Sequence, residues 1–264
     1  MPSLAAGKVV LHYEVHGSGD PLVLLMGFGA TSKDWHAQLP AFSAHYQTII
    51  YDHRGTGASD KPQTGYSIEQ FADDCIAVLD HLSIARAHLV GYSMGGRVAQ
   101  SVAARYPERV GALVLAATAA RPNALNLYSL KVGTFLYENY GPAAAAAVGP
   151  LIDFTHQHFE QTLPALLERL GVEPHEPLPL HAVKGHVAAI EQHDTTAVLS
   201  QIRAPTLIVL GDQEWLNPMA DANQMKAGIS GARIEVIAGA SHGLIWEQPD
   251  RFNDCVLQFL AQHK

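Results

Sequence analysis

Short, uninterrupted apolar runs constrain this chain more than any other feature. They fall at residues 22–26, 48–51, 87–90, 110–116 and 205–210, with a last strand-like stretch at 233–237. A strand buried on both faces reads as such a run, because neither face can carry polar side chains. Helical patterns lie between several of them. At 67–82 Ser67 is an N-cap candidate, and Ile68, Phe71, Ala72, Cys75, Val78, Leu79 and Leu82 form one apolar face. Further helical spacing appears at 33–44, broken near Pro40, at 94–106, ended by Pro107, and at 252–262. Strands alternating with helices predict an α/β fold: a mostly parallel, twisted sheet with helices on both faces. Residues 9–15 alternate only loosely and are expected as an edge strand.

The alternation stops between Arg121 and about Thr196. Gly141-Pro142, Gly149-Pro150, the alanine run 143–147 and a proline-rich stretch at 173–179 make that region helical and irregular. The expected organisation is one core domain, built from 1–120 and 197–264, with a helical cap insertion at 121–196 lying over the sheet. A chain of 264 residues is long enough to bury about three quarters of its extended-chain surface without staples.

Charge narrows the partners. The net charge is −8, and there is no basic run, which argues against nucleic acid. No stretch approaches the roughly 18 apolar residues of a membrane span, and the first residues lack the pattern of a signal peptide. Cys75 and Cys255, both in expected helices, make no disulfide framework. The expectation is a cytoplasmic protein, monomer or homodimer, acting on a small molecule without nucleic acid or membrane as partner.

Gly91-Tyr92-Ser93-Met94-Gly95 carries the chemistry. Alone it is a weak signal. Here an apolar strand enters it and an amphipathic helix, through Val98, Ala99, Val102, Ala103 and Tyr106, leaves it. That is the setting of a nucleophile elbow, in which a serine sits on a strained strand-to-helix turn and its neighbours two residues away must be small. Ser93 is the expected nucleophile, its hydroxyl held at a helix N-terminus where amide groups favour negative charge. The bland alternative is a glycine-rich turn around a buried serine.

The base is expected at His242, in Gly239-Ala240-Ser241-His242-Gly243, because this loop follows the last strand and so lies at the same sheet end as Ser93. Fifteen histidines make any single one weak evidence without that placement. The acid that orients the imidazole should lie between nucleophile and base in chain order. No acid follows the run at 110–116, whereas Gly211-Asp212-Gln213-Glu214 follows the run at 205–210. Glu214 is favoured, since a carboxylate needs a few residues to swing back towards His242; Asp212 remains the alternative. Two backbone amides should receive the oxyanion: Met94, just after the nucleophile, and Phe28, in the turn Met26-Gly27-Phe28-Gly29. Losing one such donor typically costs roughly 2.7–4 kcal/mol of transition-state stabilisation.

Taken together these segments resemble the α/β-hydrolase superfamily over nearly the whole chain. Asp52-His53-Arg54-Gly55-Thr56-Gly57-Ala58-Ser59 is similar to the family's D-x-R-G-x-G-x-S loop, which the resemblance implies to be structural. His193-Asp194 followed by Ile202-Arg203-Ala204-Pro205-Thr206-Leu207 is similar to carboxylesterases and 3-oxoadipate enol-lactonases. The stretch 91–97 also resembles C–C bond hydrolases and a lyase of this fold. Two positions depart from the pattern. Met26 stands where the family has histidine before the oxyanion glycine, and Glu214 stands where it usually has aspartate. Gly27, Tyr92 and Trp215, flanking these groups, are the expected substrate contacts.

The resemblance implies hydrolysis of an ester or lactone through an acyl-enzyme, with no metal or organic cofactor. Serine rather than aspartate at position 93 disfavours dehalogenase or epoxide hydrolase chemistry. C–C cleavage or elimination would call on cations in the insertion, for which Arg121, Lys131, Arg169 and Lys184 are candidates, though solvated charge is the simpler reading of each. A non-enzymatic small-molecule receptor is the third possibility. Phe135, Leu136, Tyr137, Phe154 and Phe159 suggest an apolar pocket, or simply packing of the insertion on the core. His156, His158, His181, His186 and His193 match no metal-site spacing, and no phosphate-binding glycine loop occurs.

Overall fold

The computed structural model describes residues 2–172, 174 and 176–263, so Glu173 and His175 of the proline-rich stretch lie outside the described residues. Eight strands form one sheet: β1 (Ser3–Ala6), β2 (Val9–His16), β3 (Pro21–Leu25), β4 (Gln47–Tyr51), β5 (Ala87–Tyr92), β6 (Val110–Ala116), β7 (Thr206–Gly211) and β8 (Arg233–Ile237). Their order is β1-β2-β4-β3-β5-β6-β7-β8. The pairs β1–β2 and β2–β4 are antiparallel, and every pair from β4 to β8 is parallel.

The helices are α1 (Leu39–Ser43), α2 (Ile68–His81), α3 (Met94–Arg105), α4 (Ala124–Tyr140), α5 (Pro142–Ala146), α6 (Gly149–Asp153), α7 (His156–Arg169), α8 (Leu180–Gln192), α9 (Met219–Gly228), α10 (Leu244–Glu247) and α11 (Pro249–Ala261). The Ser67 hydroxyl caps α2 by accepting the Gln70 N–H at 3.1 Å. Helices α4 to α8 all fall between β6 and β7.

Strand side chains alternate between two cores. Val23, Leu25, Ile49, Leu89, Leu113, Leu115, Ile208 and Leu210 pack with α2, α3 and α9. Leu22, Leu24, Ile50, Val90, Val114, Leu207 and Val209 pack with Trp35, Phe42 and the α11 residues Phe252, Val256, Phe259 and Leu260. Each fully buried aliphatic side chain contributes roughly 1.5–3 kcal/mol, so both faces drive the sheet's formation.

Three expectations need correction. Residues 9–15 do not form the sheet edge; β1 pairs outside β2 and takes that place. The stretch 33–44 is not one helix, but a 3-10 turn at Ser32–Trp35 and the short α1, with Pro40 in its first turn. Between β7 and β8 lies α9, where no helix was expected. It buries only Ala222 and Met225, so it lacks an apolar stripe.

Topology puts the site where it is. β3 and β5 are neighbours, and the chain goes from β3 outwards to β4 on one side and from β5 to β6 on the other. In an open parallel sheet such a reversal opens a crevice at the carboxyl ends of the strands. The turn 26–29 leaves β3 there, and Ser93 leaves β5.

Candidate active site

Ser93 joins β5 to α3 with φ 53° and ψ −115°. A non-glycine residue at positive φ costs of order 1–3 kcal/mol and persists only where the surroundings enforce it. The enforcement is visible. A Cβ on Gly91 would lie 2.4 Å from the Gly95 carbonyl oxygen, and one on Gly95 would lie 2.0 Å from the Leu25 carbonyl oxygen. The Ser93 N–H donates to the Ala116 carbonyl at 2.9 Å, and the Thr118 hydroxyl donates to the Ser93 carbonyl at 2.7 Å. Ser93 itself stays partly exposed.

His242 follows β8. Its Nε2 lies 3.1 Å from Ser93 Oγ, and its Nδ1 lies 2.8 Å from Glu214 Oε2. An ionised carboxylate can only accept, so Nδ1 carries the proton and Nε2 is left to accept from the serine. Glu214 Oε1 accepts the N–H groups of Leu216 at 2.8 Å and Asn217 at 3.0 Å. Burial disfavours charge on both partners, yet each outweighs it for the other. The Glu214 carboxyl lies below its ordinary value, helped by the two amides, and the His242 pKa lies above its own. Of the two acids left open by the sequence, Asp212 is exposed and accepts the Gly239 N–H at 2.8 Å, away from His242.

The turn after β3 lies against the nucleophile: a Cβ on Gly27 would come 3.3 Å from Ser93 Cβ. Met94 opens α3, so its N–H has no partner within the helix. Phe28 is half-buried beside the same turn. At Met26, where the resemblance places a histidine, a histidine from another loop contacts the turn. His53, buried in the Asp52–Ser59 loop, bonds through Nε2 to the Met26 carbonyl at 3.2 Å. Asp52 holds the adjoining chain, accepting the Ser32 N–H and the Ala58 N–H, both at 2.8 Å. Arg54 forks onto Asp74 at 2.7 and 2.6 Å.

The three expected substrate contacts sit differently from one another. Gly27 is beside Ser93. Tyr92 is buried under the histidine loop, where its hydroxyl donates to the His242 carbonyl at 3.1 Å; its side chain supports the base. Trp215 is exposed, and its indole N–H reaches the Ile152 carbonyl at 3.2 Å. Sequence reasoning missed His53, Thr118 and Asn217, whose amide side chain donates to the Ala117 carbonyl at 3.0 Å; only folded proximity reveals them.

Among the cations considered in the insertion, Lys131 pairs with Glu191 at 2.6 Å and Lys184 with Glu138 at 2.7 Å, both largely exposed, while Arg121 and Arg169 are exposed. Phe135 is exposed, and Phe154 packs on Trp246 and His158. His186 and His193 are buried and His156 is exposed; among the described residues no three His, Cys, Asp or Glu side chains converge as a metal site. Nor is any helix among them long and apolar enough to cross a membrane.

Residues 20–249 match the family described as alpha/beta hydrolase fold. The chain is 32% identical, over 96% of its length and 94% of the relative's, to 3-oxoadipate enol-lactonase 2 of Acinetobacter baylyi. It is 29% identical, over 99% of each chain, to an Azorhizobium caulinodans protein bearing the name carbamate hydrolase RutD. Among solved structures, the enol-lactonase from Burkholderia xenovorans superimposes with a TM-score of 0.89 at 29% identity, covering 98% of this chain and 100% of that one.

Proposed function

The chain belongs to the α/β-hydrolase family, and from that premise we propose that it is a serine hydrolase cleaving a carboxylic ester or lactone of a small, largely apolar substrate. One observation carries the proposal: the unbroken hydrogen-bonded line from Ser93 Oγ through His242 to Glu214. The names of its relatives support attack at an acyl carbon: two are called enol-lactonases and one a carbamate hydrolase.

In this mechanism Ser93 Oγ attacks the carbonyl carbon while His242 Nε2 takes its proton. The resulting imidazolium is stabilised by Glu214. The oxyanion rests on the N–H groups of Phe28 and Met94, which meet it without reorganisation. His242 then protonates the departing alkoxide, which leaves as an alcohol or, from a lactone, stays tethered to the acyl group. A water that His242 deprotonates attacks the acyl-Ser93, and collapse returns the proton to Ser93 as the acid departs. These steps call on no metal or organic cofactor. We read 121–196 as a cap over the core formed by 1–120 and 197–264. C–C cleavage would need cationic partners there, and the lysines considered are held in exposed ion pairs.

Hydrolysis of short-chain p-nitrophenyl esters tests the proposal. Ser93→Ala should fall to background, and Glu214→Gln should lose roughly 10³–10⁴-fold in kcat. Asp212→Asn, at an exposed site, should stay within about twofold of wild type. Undiminished activity in Ser93→Ala, or a collapse at Asp212→Asn alone, would refute these assignments.

A further inference from the structure

One carboxylate beside the triad has no task in the mechanism. Asp153 ends α6, and the segment around it is fastened to the histidine loop. The Asp153 carbonyl accepts the Gly243 N–H at 2.6 Å. The Thr155 N–H donates to Glu247 Oε1 at 2.6 Å, and the Ile152 carbonyl takes the Trp215 indole N–H at 3.2 Å. The Phe154 ring lies so near Gly243 that a Cβ there would meet it at 2.8 Å. The backbone of Asp153 is thus fixed next to His242.

Its side chain is treated unlike its acidic neighbours. Glu214 accepts from His242, Leu216 and Asn217. Glu247 accepts from the backbone of Thr155 and Ser241. The Asp153 carboxylate accepts no hydrogen bond from a described residue, although it is only partly exposed. Burial pushes its carboxyl up to about 6, against the pull of His242, and Glu214 and Glu247 push the same way. Local countercharge is scarce. Apart from His242, no cationic side chain of a described residue pulls on it appreciably. A half-buried carboxylate without a protein donor gains from a donor brought by a ligand and repels an anion.

We infer that Asp153 is a specificity residue: it favours substrates presenting a hydroxyl, an amide or carbamate N–H, or an ammonium group beside His242, and disfavours substrates carrying a carboxylate there. The inference rests on the serine-hydrolase reading. It predicts a polar selector at the rim of a site whose other expected walls are apolar.

The test compares p-nitrophenyl hexanoate with its counterparts ending in hydroxyl, ammonium or carboxylate, at pH about 8, where Asp153 is ionised. A second series places the same end groups on the alcohol, read by acid release. The readout is the ratio of kcat/KM for the hydroxyl or ammonium ester to that for the carboxylate ester. This ratio does not depend on how much of a variant is folded. In at least one series it should fall by about tenfold in Asp153→Asn relative to wild type. In Asp212→Asn, which also removes one negative charge, it should not change. A ratio that Asp153→Asn leaves within about twofold in both series overturns the inference while Ser93-dependent hydrolysis still stands. Hydrolysis that survives in Ser93→Ala, or that wild type lacks for every ester, overturns the underlying reading and this inference with it.

Discussion

At the scale of single residues, the pair His242–Glu214 should set the pH behaviour of the proposed hydrolase. His242 must be neutral to accept the Ser93 proton, so activity is lost as pH falls through its pKa. That pKa is raised above the ordinary 6.5, because Glu214's charge and hydrogen bond outweigh burial. The acid limb of kcat/KM should therefore have its midpoint above 6.5. In Glu214→Gln burial acts without its counterweight, so the residual activity should titrate at lower pH than wild type; a limb that stays put or moves up would contradict the pairing. Ser93 and His242 could be singled out from local context, since each sits in a glycine-rich turn after a strand. For the acid, the length of the Gly211 turn favoured Glu214 over Asp212, but only the folded turn shows which carboxylate reaches His242. Tyr92 shows a different blindness: adjacency to a nucleophile suggests substrate contact, whereas its ring packs 5.4 Å from that of His242 and its hydroxyl holds the histidine backbone. Asp153 lies in a region without periodicity, and nothing in its neighbours Ile152 and Phe154 marks it.

At the scale of elements, the strand–turn–helix around Ser93 is held by the absence of side chains. Gly95→Ala would drive a methyl group to 2.0 Å from the Leu25 carbonyl oxygen, a backbone atom that cannot step aside. The variant should lose well over about 2 kcal/mol of stability, measurable as a lower denaturation midpoint in urea. It should also lose activity even where it remains folded, since β3 and the oxyanion turn must shift. Wild-type stability in Gly95→Ala would mean that the elbow is not so tightly enclosed. The strands were the most readable elements, because β3 to β7 are buried on both faces and cannot disguise their composition. β1 was not readable: of Ser3-Leu4-Ala5-Ala6 it buries only Leu4 and Ala6. For α9 the reason is the same in helical form, with two buried residues in ten. Elements that contribute little burial leave little trace in a sequence.

At the scale of the whole molecule, strand order was beyond reach, since pairing of β3 with both β4 and β5 is a non-local fact. Yet it is this order that brings Phe28 and Ser93 to one crevice. The protein also carries buried neutral histidines: His53 bonds to the Met26 carbonyl, His186 on α8 bonds to the Arg54 carbonyl, and His193 is buried without a hydrogen-bond partner. Burial lowers His53 and His193 to about 3 and His186 to about 4. These groups take up protons in the unfolded chain near 6.5 but not in the fold, so stability falls as pH drops below that value. Each costs roughly 1.36 kcal/mol per pH unit until its folded pKa is reached. Asp153, raised to about 6, and the raised His242 and Asp74 act in the opposite direction, but the three deeply lowered histidines outweigh them. The thermal midpoint should therefore drop between pH about 7 and about 5, and His186→Asn should lessen the drop. A midpoint independent of pH in that range would contradict the account.

In the proposed mechanism Ser93 becomes acylated because His242 and Glu214 activate it. The most direct measurement is intact-protein and peptide mass spectrometry after exposure to a fluorophosphonate, which reports the activated serine without assuming any substrate. One adduct per chain is expected, carried by the peptide containing Ser93, absent from Ser93→Ala and formed far more slowly in Glu214→Gln. Labelling at another residue, or labelling of Ser93 at an undiminished rate in Glu214→Gln, would contradict that mechanism.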